Sequence, residues 1–403
     1  GGEFDQPLMD PGKTGSLSLM AVDLGRPDRR ILVPTGDPES PAIPDFISPP
    51  QTTAIDLRIT GAGMHNNMGV PGAKSFHAIA PNYGELTFNA IAVARTANPY
   101  FARFASSNTT RLIDDVLAQV PTFFTLWLGN NDVLLFALDG ADPAVSGESI
   151  TPTGTFDGAF AVVIAALTAS PNTKGILINV PDVAAIPYFT TVPYNPVTLD
   201  ATTAAGLNAF FAPYNAAIAG SGIPGDEKIA RTINFIAGDN PVLILDEDLT
   251  PVGGQQNLRF ATAEDFIVLP ASAKIGVDAG GQYGIAVPLA DLDVLTKIEK
   301  AEIDAARESY NITIKAAADA DQNLLFFDAE ALLNELNTTG ILYGSGGISS
   351  TFAQGGGFSL DGVHPTARGY AVIANEIFKV INEGFGAYIP PVDPNQYTTV
   401  FYQ

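Results

Sequence analysis

The sequence contains no cysteine, and this absence excludes disulfide bonds and thiolate metal sites. Only three histidines are present, which leaves little for a transition-metal site, and we expect neither a metal nor another cofactor. No phosphate-binding glycine loop or dinucleotide fingerprint is found, because the glycine run at residues 355–357 has the wrong neighbours. These absences exclude several classes of site before any motif is considered.

Basic residues and long apolar runs are also scarce. Twenty Lys and Arg stand against 43 Asp and Glu, giving a formal charge of −23. Such a chain should repel nucleic acid and anionic membranes, so we expect neither as a partner. No apolar run is long enough to span a bilayer, which predicts that there is no transmembrane segment. The 403 residues, 46% hydrophobic and 16% charged, fit a globular protein with a large core.

The N-terminal part of the chain shows little periodicity. Residues 1–50 are rich in Gly, Pro and Asp, which predicts an irregular, partly extended segment. Residues 52–60 alternate as a strand should and run into a glycine-rich turn at residues 61–72. Because the chain opens with Gly1-Gly2 and has no initiator methionine, we expect its natural start to lie upstream.

From Asn108 onwards, apolar strands alternate with helical patterns. The predicted strands cover residues 123–128, 175–180 and 324–327, and a long helix is predicted at about residues 290–316. This alternation predicts an α/β fold with a mostly parallel sheet covered on both faces. Residues 230–288 contain strand-like pieces between Gly, Pro and Asp. We interpret them as a β-rich insertion, so that residues 1–403 form a single domain.

The sequence Gly129-Asn130-Asn131-Asp132 directly follows a predicted core strand. Functional residues of parallel sheets cluster at the carboxyl ends of strands, where these four residues fall. The Asn131 amide can donate a hydrogen bond to a developing oxyanion, while Asp132 is a candidate helix cap. The competing interpretation is that both asparagines are only turn residues.

A second motif places Asp361 three residues before His364. Asp361 can accept the Nδ1 proton of the imidazole, fix its tautomer and stabilise the imidazolium that forms when Nε2 takes a proton. Pro365 fits the first position of the helix that follows. The alternative is a turn-forming aspartate beside a surface histidine.

The glycine-rich turn contributes a third candidate, Gly69. A glycine permits close backbone approach, and its N–H is a possible second oxyanion donor; a plain tight turn is the competing interpretation. His65 and His77 flank the turn without any motif around them, and we expect both to be structural or exposed rather than catalytic.

Taken in order, Gly69, the Gly-x-Asn-Asp sequence at residues 129–132 and the Asp-x-x-His sequence at residues 361–364 resemble the SGNH (GDSL-type) hydrolase family. The resemblance covers about residues 60–385 and implies a three-layer α/β/α sandwich with a flavodoxin-like sheet. In that family, a serine near the N-terminus attacks an ester carbonyl. The resemblance implies that His364 is the base, that Asp361 orients it, and that Gly69 and Asn131 donate to the oxyanion.

The sequence departs from this family at the nucleophile. The nearest match, Ser16, precedes the apolar run at residues 17–22 instead of following a strand, so we expect that it is not the nucleophile. We expect the serine and the first strand to lie upstream, and the chain as given to be inactive or nearly so. Residues 17–24 or a neighbouring chain are then predicted to fill the position of the missing strand.

Three functions remain open at this point. The first is a bacterial serine esterase or lipase acting through an acyl-enzyme on a small ester, whether a lipid, a short acyl ester or an acetylated sugar. The second is a non-catalytic secreted protein that uses the same cleft to bind a glycan or another ligand. The third, metal-dependent hydrolysis through Asp361 and His364, is the weakest. The resemblance and the acidity favour a secreted or periplasmic location, with anchoring through an upstream segment as a variant.

Overall fold

The computed structural model describes residues 31–32, 46–47, 65–85, 98–143, 147–278 and 280–400. The predicted strand at residues 52–60 and most of the predicted irregular segment at residues 1–50 lie outside the described residues. Within that segment, two short strands, β1 (Ile31–Leu32) and β2 (Phe46–Ile47), pair antiparallel.

The strands and helices alternate through the rest of the chain. The further described strands are β3 (Phe123–Trp127), β4 (Lys174–Ile178), β5 (Val197–Leu199), β6 (Gly238–Asn240), β7 (Leu243–Leu245), β8 (Leu258–Phe260), β9 (Phe266–Ile267), β10 (Val294–Leu295), β11 (Leu324–Phe327), β12 (Ile341–Tyr343) and β13 (Gly346–Ile348). The described α-helices are α1 (Pro99–Phe104), α2 (Leu112–Leu117), α3 (Asn130–Ala137), α4 (Thr153–Leu167), α5 (Pro187–Thr190), α6 (Ala201–Gly220), α7 (Gly225–Ala230), α8 (Lys297–Ala320), α9 (Ala329–Thr338) and α10 (Ala367–Phe385). None of the described helices has both the length and the apolar character needed to cross a membrane.

Three strands form a parallel sheet with β4 in the middle, β3 on one side and β11 on the other. Their side chains are mostly apolar, as is usual for parallel strands. In β4, Ile176 and Ile178 share a core cluster with Ile381 of α10, whereas Leu177 belongs to the main core with Tyr310 of α8. The predicted α/β fold with a parallel sheet is therefore confirmed.

Several short antiparallel pairs accompany this sheet. Strand β5 pairs with β6, β7 with β8, β9 with β10, and β12 with β13. Strands β6 to β9 fall within the predicted β-rich region at residues 230–288, but β5 and β10 lie outside it. The region is thus tied by backbone hydrogen bonds to strands before and after it, and its description as an insertion in a single domain stays a prediction.

The long helix α8 begins later than predicted. The Thr296 hydroxyl accepts a hydrogen bond from the Glu299 N–H, and the Glu299 carboxylate accepts one from the Thr296 N–H at 2.6 Å. This reciprocal capping box sets the start of the helix. Residues Asp291–Asp293 form a 3₁₀ turn before β10, so the predicted start at about residue 290 was wrong.

Strand β3 has a sheet partner on one side only among the described residues. Its other edge lines a cavity of about 840 Å³, hereafter the edge cavity. Phe123 at the start of the strand is 40% exposed. The prediction that residues 17–24 or another chain fill this position concerns segments outside the described residues.

Candidate active site

Helix α3 begins at the carboxyl end of β3, where the sequence analysis placed its first motif. Gly129 is the N-cap and has a φ of 122°. A Cβ at this position would lie 2.8 Å from Val180 Cγ2 and 3.0 Å from Phe156 Cε2. Only glycine combines this conformation with such close packing. The tight turn therefore brings Asn130 and Asn131 into the first turn of the helix, at the edge of the sheet.

Asn131 links this strand end to the glycine-rich turn. Its Nδ2 donates a hydrogen bond of 2.9 Å to the Ala73 carbonyl oxygen. A primary amide carries two N–H groups, so one bond to Ala73 leaves the second available to a ligand. The bond also restricts the orientation of the side chain.

Asp132 does not cap the helix, in contrast to the prediction. It is buried, and its carboxylate accepts hydrogen bonds from the Ser75 N–H at 2.8 Å and the Ser75 hydroxyl at 2.6 Å. Burial raises the pKa of Asp132, although the bonds from Ser75 oppose this effect. Asp132 therefore fixes the segment after the glycine-rich turn against α3, a role that the sequence analysis missed.

Gly69 lies on the exposed part of the turn. Its N–H donates to the Asn67 side-chain oxygen at 3.0 Å, so the amide that was predicted to face an oxyanion is bonded within its own turn. A Cβ at residue 69 would lie 3.1 Å from that oxygen. The predicted oxyanion role of Gly69 therefore requires the Asn67 side chain to move.

The pair of Asp361 and His364 forms in one short loop, as its spacing predicts. Nδ1 of His364 lies 2.7 Å from Asp361 Oδ2. Asp361 Oδ1 accepts three more hydrogen bonds, from the Ser359 hydroxyl, the Val363 N–H and the His364 N–H, at 2.7, 2.8 and 2.9 Å. Burial would raise the pKa of Asp361, but hydrogen bonds from His364 and Ser359 outweigh it and hold that pKa well below its usual range.

The imidazole itself remains accessible. The side chain of His364 is 58% exposed, and no described residue forms a hydrogen bond to its Nε2. A carboxylate that accepts the Nδ1–H leaves Nε2 as the atom that takes a proton. The pair therefore has the arrangement of a general base with an orienting carboxylate.

Gly362 allows this loop to turn tightly. Its φ is 71°, and a Cβ would lie 2.9 Å from the backbone nitrogen of Tyr188. That nitrogen donates to the Gly362 carbonyl oxygen at 2.9 Å. After the loop, Thr366 is the N-cap of α10 and accepts a bond from the Gly369 N–H. Pro365 thus precedes the cap, and its predicted place as the first helical residue was wrong.

His364 borders a second cavity, of about 310 Å³, hereafter the apolar cavity. Its polar lining residues include Asn130, Asn131 and His364. The remainder is dominated by aliphatic and aromatic side chains, among them Leu134, Ile186, Leu332, Leu336, Phe358 and Val372. The cavity therefore has polar groups beside an apolar interior, as small-molecule sites commonly do.

The predicted site residues line two different cavities instead of one. Asn131 lines both cavities, together with Asn130 and Trp127. Gly69 lines the edge cavity and His364 lines the apolar cavity, so Asn131 is the predicted residue common to the two. The sheet edge after β3 is where the two cavities meet.

No described serine takes the position of a nucleophile at His364. The Ser359 hydroxyl is bonded to Asp361, and the Ser75 hydroxyl is buried against Asp132. Ser16 lies outside the described residues.

His77 stacks on Tyr83 with ring centroids 4.3 Å apart, and burial together with the charge of Lys74 lowers its pKa to about 4. The structural role expected of His77 agrees with these contacts.

Comparisons of the chain with family models, with curated proteins and with solved structures gave no match.

Proposed function

We propose that the protein is a serine-type ester hydrolase of the SGNH kind, working through a covalent acyl-enzyme. The observation that carries the proposal is the accessible imidazole of His364, oriented by Asp361, at an apolar cavity that also includes Asn131. The proposal includes a more specific fold than the α/β fold described above, namely a three-layer α/β/α sandwich with a flavodoxin-like sheet. The first strand of such a sheet would lie along the edge of β3 that has no partner among the described residues.

In the proposed reaction, Nε2 of His364 removes the proton of a serine hydroxyl while the serine oxygen attacks the ester carbonyl. The tetrahedral oxyanion accepts a hydrogen bond from the second N–H of Asn131. The imidazolium, stabilised by Asp361, returns the proton to the leaving alcohol as the carbon–oxygen bond breaks. Water then attacks the acyl-enzyme by the same steps, releasing the acid and the serine. The serine must come from outside the described residues.

The apolar cavity suggests which part of the ester is recognised. Apolar groups gain about 0.8 kcal/mol for each methylene that they bury. An acyl chain of several carbons would therefore be favoured over acetyl, which supports lipid or medium-chain acyl esters over acetylated sugars.

The test is hydrolysis of p-nitrophenyl acetate, butyrate and octanoate by the natural protein that contains this sequence. We expect measurable turnover, a higher kcat/KM for butyrate or octanoate than for acetate, and a loss of about 10³-fold or more in His364→Ala. His77→Gln is the matched control, since His77 lines neither described cavity, and it should keep its activity.

Activity that survives His364→Ala would contradict the proposed base. A preference for acetate would contradict the assignment of the apolar cavity as the acyl site, but it would not affect the assignment of His364 as the base.

A second candidate is a non-catalytic protein that binds a ligand, such as a glycan, in the same cleft. It is favoured by the fact that no described serine hydroxyl forms a hydrogen bond with the imidazole of His364. Ligand binding without ester turnover, unchanged by His364→Ala, would support this second candidate.

A further inference from the structure

Three carboxylates meet at a place remote in sequence from the His364 loop. Glu247 follows β7, Asp291 lies in the 3₁₀ turn before β10, and Glu299 lies in the first turn of α8. One oxygen of each carboxylate lies within 4.8 Å of the others. None of these residues lines the edge cavity or the apolar cavity.

The arrangement leaves buried oxygens without partners. Glu299 is only 5% exposed, and although its Oε2 accepts the Thr296 N–H, its Oε1 is buried with no hydrogen bond among the described residues. Asp291 Oδ1 is also buried and unbonded among them. The second oxygen of a capping-box glutamate ordinarily meets water. A buried acceptor with no partner is costly and calls for a group that satisfies it.

Like charges surround the same oxygens. No described Lys or Arg forms an ion pair with Glu247, Asp291 or Glu299. Three carboxylates within 4.8 Å of one another repel when they are ionised, so the cluster needs a counter-charge, supplied by protons or by a cation.

We infer that Glu247, Asp291 and the unpartnered oxygen of Glu299 form a divalent-cation site selective for calcium. All the ligands are oxygens, which hard cations prefer. Calcium binds oxygens at about 2.3–2.6 Å, so two ligands on one ion lie at most about 5 Å apart, in agreement with the spacing of the cluster. Magnesium demands near-ideal octahedral geometry and keeps several waters, whereas calcium accepts the irregular set of oxygens that three carboxylates from separate segments supply. Glu247 is exposed, so water completes the coordination shell from its side.

The site joins three segments of the chain. A bound ion connects the loop after β7 and the 3₁₀ turn to the start of α8, a helix whose Tyr310 lies in the main core. The adjacent turn at Gly140 packs directly on this place, because a Cβ there would overlap the Asp291 carbonyl oxygen. Calcium therefore stabilises the junction between the β-rich region and the central fold, and it takes no part in the chemistry at His364.

The test is calcium titration of the chain after treatment with a chelator, followed by calorimetry and by terbium luminescence. We expect one calcium ion per chain, a dissociation constant of about 10⁻⁴ M or lower, at least tenfold weaker magnesium binding, and a higher Tm with calcium. Asp291→Asn and Glu299→Gln should each weaken calcium binding at least tenfold. Glu247→Gln should also weaken calcium binding, and it changes an exposed side chain instead of a buried one.

The matched control is Glu376→Gln, which removes a partly exposed carboxylate from a pair with Lys379 elsewhere and should leave calcium binding unchanged. Absence of binding at millimolar calcium would overturn the inference and assign protons as the counter-charge. Binding that is unchanged in Glu247→Gln and Asp291→Asn would also overturn it.

Discussion

Two groups of carboxylates in this protein have opposite environments. Asp361 accepts four hydrogen bonds in a single loop, and its pKa lies well below the usual range. Asp291 and Glu299 have buried oxygens with no described partner, and their pKa values rise to about 9 and about 8. Burial acts in the same direction on both groups. The difference arises because donors surround Asp361 and other carboxylates surround Asp291.

This contrast distinguishes Asp361, whose environment suits proton transfer by His364, from the cluster of Asp291 and Glu299, whose environment suits a bound cation. A carboxylate that stays charged can stabilise an imidazolium beside it. A cluster that keeps its protons until high pH has oxygens from which a bound divalent ion can displace those protons. The two groups should therefore respond to different changes.

The largest expected difference is in catalysis. Asp361→Asn should lower kcat/KM of the natural protein for p-nitrophenyl butyrate by about 10²–10⁴-fold, because the amide holds the wrong imidazole tautomer. Asp291→Asn should change it less than about twofold when calcium is present, since Asp291 lines neither described cavity. Steady-state kinetics of both variants measure the two changes in kcat/KM. Equal losses would remove the distinction between the two groups.

A smaller loss is expected at the proposed oxyanion donor. Asn131→Ala should reduce kcat by about 10²–10³-fold with little change in KM, as for other single oxyanion donors. Asn382→Ala is the matched control, because the Asn382 amide also donates to a backbone carbonyl and lines neither described cavity, and it should retain most of the activity. If only KM changes in Asn131→Ala, the amide binds the substrate without stabilising the transition state.

The geometry of the Asp361 loop can be tested through its glycine. Gly386, the C-cap of α10, has a φ of 62°, and a Cβ added there would meet no atom within 4 Å, so Gly386→Ala should cost about 1–2 kcal/mol of strain. Gly362→Ala adds a close contact with the Tyr188 backbone and should cost at least ~1 kcal/mol more. Urea unfolding measures both. Equal costs would show that the loop adapts to the added methyl group.

The pH dependence of stability should have opposite signs in the two groups. The lowered pKa of Asp361 stabilises the fold above about pH 4 and is lost as pH falls through the folded-state pKa. The raised pKa values of Asp291 and Glu299 favour the fold at low pH, and this contribution is lost as pH rises through about 8 and about 9.

Chelator-treated protein should therefore lose at least ~1 kcal/mol of unfolding free energy between pH 5 and about pH 9, and Asp291→Asn should lose less. The groups facing this cluster, Asp142 and Glu247, are acidic and act in the same direction. Urea unfolding across this pH range checks the slope. A slope that calcium and Asp291→Asn leave unchanged would contradict the assignment.

Local features of the fold and of the site were predictable from the sequence. Apolar runs identified β3, β4 and β11 to within a few residues, because buried parallel strands need continuous apolar side chains. The spacing of Asp361 and His364 predicted their contact, since both lie in one turn. Short-range geometry was sufficient in these cases.

The contacts between distant segments were not predictable in the same way. Asp132 was assigned to its own helix, whereas it bonds Ser75, which lies far from it in sequence. The apolar cavity is assembled from α3, α9 and α10 together with residues of β3, β12 and β13 and of several loops. Cysteines, histidines and the Asp361–His364 pair were the metal ligands considered from the sequence, so the cluster of Glu247, Asp291 and Glu299 was missed. Single carboxylates that are distant in sequence carry no such signal.

The central claim is that His364 activates a serine for attack on an ester. A fluorophosphonate probe reacts with serines that are activated in this way, and mass spectrometry identifies the labelled residue. The natural protein should be labelled on one serine, and His364→Ala should abolish the labelling while His77→Gln preserves it. A protein that is not labelled, or that is labelled equally well in His364→Ala, would contradict the claim.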